Sequence, residues 1–135
     1  MITPQRGEIY WLDFDPAAGA EMRNLHPALV IQNDIGNQAS SLTIVAAITC
    51  NLQVARLPVG VRIEAGEAGL SKASVIHLGH IYSVDKNCLQ RRIGALSTEQ
   101  MRQVDHAISV SLGLRPFTLI EPSSATRCPS PSASV

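Results

Sequence analysis

The chain has 135 residues, 45% of them hydrophobic, and its eleven basic and eleven acidic residues cancel at pH 7. That length is ordinary for one domain, the apolar share suits a globular core, and no apolar run approaches the ~18 residues a membrane span needs. Zero net charge excludes recruitment of a nucleic acid by bulk electrostatics, so any such partner must be held by a local basic groove.

The opening MITPQRGEIYW carries neither the basic nor the apolar block of a signal peptide. Cys50, Cys88 and Cys128 show no CxxC spacing, so they read as free thiols in a reducing, cytoplasmic setting rather than a disulfide frame or zinc site. Arg6-Gly7 opens a strand over Glu8–Phe14, with Ile9 and Trp11 on one face and Tyr10, Leu12 and Phe14 on the other. Both faces are largely apolar, so this strand lies inside a curved sheet or faces a partner, and core packing is preferred over base stacking for Trp11 and Phe14. Asp15-Pro16 ends it. Asp15–Leu25 is then a polar loop carrying Glu21 and Arg23, long for so small a protein, and long loops are often functional.

His26-Pro27 stops that loop, because the residue before a proline is pushed into extended geometry. Ala28–Gln32 has the β-branched, apolar composition of a buried strand, Asn33–Ser41 reads as a turn, and Leu42–Thr49 is a second strand with Thr49 at its polar exit. The stretch from Gly19 to Thr49 thus gathers a carboxylate, a guanidinium, an imidazole and a hydroxyl near one end of a small sheet.

Cys50–Pro58 is a polar connection into a strand at Val59–Glu64, and Ala65–Lys72, with Gly66 and Gly69, is a turn. Ser74–Val84 is a further strand or pair with a bulge expected at Gly79, and a regular strand would set His77 and His80 on opposite faces, as surface or interface histidines. Lys86–Leu96 reads as a short amphipathic segment with a turn or two of helix. Ser97 and Gln100 form a capping-box pattern, Leu96 can staple against Met101, and Met101, Val104, Ile108 and Leu112 mark one helical face. The expected helix runs from about residue 98 to 112 and ends at Gly113. Pro122–Val135 is mostly Pro, Ser and Ala and cannot offset its ordering entropy, so residues 116–135 form a disordered tail outside a domain at 1–115. The fold class is α+β, mainly β: a small, partly open barrel of antiparallel strands closed by one C-terminal helix.

RGEIYWLDFDP, GAE, HPALVIQNDIGN, TIVAAIT, Leu57-Pro58, Ser74–Ile76 and Val84–Lys86, in that order, resemble the MazF/PemK toxins, the mRNA interferases of toxin–antitoxin modules. The resemblance spans Arg6 to Leu114. It implies an SH3-like barrel, a homodimer, no cofactor, and sequence-selective cutting of single-stranded RNA without metal. It also implies a cognate antitoxin that occupies the substrate groove. The acting residues of the family are an arginine directly before the strand-opening proline and a threonine ending the later strand, with a loop glutamate in some members. Thr49 matches the threonine and Glu21 the glutamate, but the arginine position holds His26.

Three readings of that departure stay open. His26 takes over proton transfer, since an imidazole can act as base or acid near neutrality; Arg23 swings in from the loop to supply the guanidinium; or the site binds RNA or antitoxin and cuts poorly. The first two acting together are preferred. A gyrase-poisoning toxin of the same general fold is the remaining alternative. Such proteins depend on a C-terminal tripeptide containing tryptophan, whereas the only tryptophan here is Trp11 and the sequence closes on Ala-Ser-Val.

Overall fold

The computed structural model describes residues 2–14 and 25–115. The chain runs β1 (Glu8–Asp13), β2 (Leu25–Val30), α1 (Asp34–Ala39), β3 (Leu42–Thr49), β4 (Gly60–Ile63), β5 (Ser74–Asp85), β6 (Leu89–Ala95) and α2 (Thr98–Ser111). Short 3₁₀ turns at Leu52–Arg56 and Lys86–Cys88 lead into β4 and β6. The six strands make one antiparallel sheet in the order β4-β5-β3-β2-β1-β6.

The sheet is buried on both faces, which is why β1 is apolar on both. Ile9 joins Leu29, Ala46, Ile76 and Leu78 in a cluster covered by Val104 and Ala107 of α2. Tyr10 and Leu12 join Val30, Val45, Val84 and Leu89 on the other side. No ladder joins the edge strands β4 and β6, so the barrel stays open. The loop after β4 crosses to β6 instead. A Cβ at Gly69, which has φ +82°, would collide with the Ile93 carbonyl, and one at Gly94 with the Ala68 carbonyl. Two missing side chains therefore let the loop lie backbone against backbone on β6.

Local chemistry fixes the remaining elements. The capping box at α2 is formed: Ser97 Oγ accepts from Gln100 N at 3.1 Å, and Gln100 Oε1 accepts from Ser97 N at 2.9 Å. Gly113, at φ +75°, follows the helix end. Arg6 clips three elements together, its amide donating to Asp34, its Nε to the Ile31 carbonyl and its terminal nitrogen to Asp105, at 2.7, 2.8 and 2.7 Å. Among the described residues, no disulfide joins Cys50 and Cys88 and no helix is long and apolar enough to cross a membrane. Residues 116–135, with Cys128, lie outside the described residues.

Several expectations are corrected. Trp11 and Phe14 are not core: Trp11 belongs to neither buried cluster and Phe14 is 52% exposed. Leu112, expected on the core face of α2, is 60% exposed. The stretch Asn33–Ser41 contains α1, because Asn33 Oδ1 caps Gly36 N at 2.7 Å. Asn37 of α1 is wholly buried and makes three side-chain hydrogen bonds: Oδ1 accepts from Thr43 Oγ1 and Gln32 Nε2 at 2.7 and 2.9 Å, and Nδ2 donates to the Gln32 carbonyl at 3.0 Å. Lys86–Leu96 is mainly strand β6, since the free edge of β1 offers backbone groups that only a strand can pair. On β5 the pairing jumps from His77 opposite Ala47 to Ile81 opposite Ala46, which confirms the bulge at Gly79. The bulge turns His77 and His80 to the same side, with rings stacked 3.9 Å apart at 13°.

Candidate active site

Pro27 creates the site by what it lacks. It sits opposite Trp11 on β1 but has no N–H to donate towards β3, and the β2–β3 ladder runs only from Ala28↔Ala47 to Val30↔Val45. Beyond that last rung lies a cleft of about 230 Å³, lined by Pro27 and Ala28 on one strand and Ala47 and Ile48 on the other. His26 and Thr49 each stand two residues past the rung on facing strands, and strand alternation puts both on the side of Ala28 and Ala47.

His26 is exposed and lines the cleft together with Phe14 and Tyr82. The His26 and Phe14 rings are 6.4 Å apart at 55°, and Tyr82 meets Phe14 edge-on at 5.7 Å. Tyr82 is 41% exposed, so the cleft has a wet aromatic rim beside its imidazole. Thr49 is half-buried and its Oγ1 accepts from Asn51 N at 3.1 Å. That bond occupies an oxygen lone pair and leaves the hydroxyl proton free to be donated. The turn is held further by Asn51 Oδ1, which accepts from Gln53 N at 3.1 Å. An imidazole that can give or take a proton and a fixed hydroxyl donor suit an oxyanion formed between the two strand ends. Glu21 and Arg23 lie outside the described residues.

Other titratable groups serve different ends. Among the described residues no three His, Cys, Asp or Glu side chains are grouped to hold a metal ion. His77 is held below the ordinary histidine pKa by burial and then by His80 beside it. Burial, and then its hydrogen bond to Glu8, push Tyr10 up to about 12. The phenol therefore stays protonated and donates to Glu8 Oε1 at 2.9 Å, while Glu8 Oε2 accepts from Arg92 Nε at 3.0 Å. Sequence reasoning missed the aromatic rim at Tyr82 and the basic residues Lys72, Arg91 and Arg92, which meet Trp11 on the other side of Pro27. No local pattern announces that meeting.

A family model described as PemK-like, MazF-like toxin of type II toxin–antitoxin system matches residues 5–112. Endoribonuclease EndoA of Bacillus subtilis is 45% identical over 113 residues, covering 84% of this chain and 97% of that protein. Endoribonuclease MazF of Staphylococcus saprophyticus is 43% identical over 110 residues, covering 82% and 92%. Among solved structures, a mycobacterial endoribonuclease in complex with its cognate antitoxin shares the fold at 20% identity, with a TM-score of 0.68 over 85% of this chain and 99% of that one.

Proposed function

The chain belongs to the PemK-like, MazF-like toxins of type II toxin–antitoxin systems and is an endoribonuclease; from that premise we propose that it cuts single-stranded RNA at a defined sequence through the 2′-hydroxyl of the substrate. The observation that carries this reading is the placement of His26, which lines the cleft, and Thr49, at the end of the facing strand, each two residues past the last rung of the β2–β3 ladder.

In this mechanism the ribose 2′-oxygen attacks the adjacent phosphorus and the bond from phosphorus to the leaving 5′-oxygen breaks. The products are a 2′,3′-cyclic phosphate and a 5′-hydroxyl. The nucleophile comes from the substrate, so the scheme asks no metal of the protein. His26 moves a proton, either from the 2′-hydroxyl or to the leaving oxygen. Thr49 donates its hydroxyl proton to a non-bridging oxygen as negative charge builds. Glu21 and Arg23 supply the second proton carrier and the fixed positive charge. DNA, lacking the 2′-hydroxyl, binds without reacting. Word selection falls to the loop Asp15–Leu25, reading the edges of unpaired bases.

A cognate antitoxin that covers the cleft, a homodimer and a cytoplasmic setting complete the proposal. The antitoxin is supported by the antitoxin-bound structure of the same fold. The test is incubation of purified protein with long single-stranded RNA in chelator, followed by mapping of the new ends. Discrete cuts with 5′-hydroxyl ends, absent when the attacking ribose is deoxy, support the mechanism. Intact RNA with folded protein refutes it and leaves a module that binds without cutting.

A further inference from the structure

The second cavity shares Pro27 with the cleft and is built from different chemistry. It measures about 460 Å³, within the range of small-ligand pockets. Trp11, Pro27, Lys72, Arg91 and Arg92 line it. Pro27 directly follows His26, and Cys50, which also lines the cavity, directly follows Thr49. The cavity therefore opens one residue away from both groups assigned to the reacting phosphate.

Its charge is distinctive for a chain with no net charge: among the described residues, three cations line it and no carboxylate does. Arg92 is held by Glu8 at 3.0 Å. The side chains of Lys72 and Arg91 make no ion pair or hydrogen bond among the described residues, and both residues are exposed. The walls are also fixed in place. Lys72 rides on the loop that Gly69 and Gly94 clamp to β6, and Arg91 and Arg92 belong to β6 itself. An aromatic residue beside two cations that no described residue pairs, in a slot large enough for one nucleotide, is the arrangement that holds an unpaired base by stacking and its phosphate by charge.

We infer that this cavity is a nucleotide subsite for the RNA residue flanking the cleaved bond, with its base stacked on Trp11 and its phosphate between Lys72 and Arg91. The inference rests on the endoribonuclease reading and adds residues to it. It also gives Trp11, out of place as a core side chain, a task.

The sequence has one tryptophan, so stacking is read directly from its emission. The probe is the mapped target oligonucleotide with a deoxyribose at the cut, titrated into the full chain and followed by tryptophan fluorescence and, independently, by anisotropy of a labelled end. Saturable quenching that tracks the anisotropy is expected. Trp11→Ala should weaken binding about 5- to 150-fold while Trp11→Phe, which keeps a ring, loses less. Lys72→Ala with Arg91→Ala should flatten the slope of log affinity against log salt by about 0.7 for each phosphate no longer neutralised. RNA that binds and is cut while Trp11 emission and the salt slope of the double variant stay unchanged overturns the subsite alone, leaving the pocket to a protein segment. An anisotropy trace showing no RNA binding overturns the underlying reading and the subsite with it.

Discussion

Replacing Thr49 with alanine should separate chemistry from folding. The side chain is half-buried at the last residue of β3, and its hydroxyl accepts one bond, from the exposed Asn51 amide at 3.1 Å. Losing a neutral bond of that kind costs about 0.5–1.5 kcal/mol. For a domain of this size the melting temperature then falls by roughly 2–10 °C, and the protein remains folded at 25 °C. Removing a donor to a transition-state oxyanion costs about 10²–10³ in rate. The two effects differ so widely that they cannot be confused. A chimeric oligonucleotide with a single ribose at the mapped cut, carrying a fluorophore and quencher, gives the rate, and a circular dichroism melt gives the stability. Thr49→Ser keeps both the hydroxyl and the bond to Asn51, so it should restore most of the activity. An alanine variant within about threefold of the parent rate, against the 10²–10³ expected, would refute the assignment, as would a serine variant as slow as the alanine one.

If His26 carries a proton, His26→Gln should slow cleavage about 10²–10⁴-fold while folding and RNA binding stay intact. A variant that cuts at the parent rate would move the role to Arg23. Asn37→Leu leaves the buried Thr43 hydroxyl without its partner, while the half-buried Gln32 amide keeps its bond to the Leu42 carbonyl. At about 1–3 kcal/mol for a buried group left unpaired, the urea midpoint should drop clearly, and an unchanged midpoint would show that the network contributes nothing. His77 has a lowered pKa, so the unfolded chain takes up that proton first as the solution turns acid. Stability should therefore be full above about pH 6.5, the ordinary histidine value, and decline as pH falls below it. His80→Gln removes the second cause and should shrink that decline in melts between pH 7 and 5. Equal declines in both proteins would dismiss the coupling.

Elements carried by local chemistry were legible in advance. The capping box at Ser97 located the start of α2 because both bonds join residues three apart. The apolar faces of Glu8–Phe14 announced a strand buried on both sides, and Gly79 marked the bulge because a side chain there would meet the His77 ring. His26 and Thr49 were legible as a pair from their places at the ends of neighbouring strands and from the family resemblance. β6 was not. Leu89, Ile93 and Leu96 recur at a spacing that also suits a helix, and only the unpaired edge of β1 selects a strand.

By itself, then, the sequence determined the strands other than β6, the one long helix and the places of the proposed pair His26 and Thr49 at neighbouring strand ends, because each depends on neighbours within a few positions or on one strand pairing. The tertiary structure alone decided that His77 and His80 stack, since a bulge changes which face a residue occupies. It alone brought Lys72 and Arg91 to Trp11. Those residues lie far apart along the chain and meet because β6 pairs with β1 and the Gly69 loop reaches across the open edge of the barrel. A meeting of that kind is set by the closure of the whole sheet, for which no short stretch of sequence carries a signal.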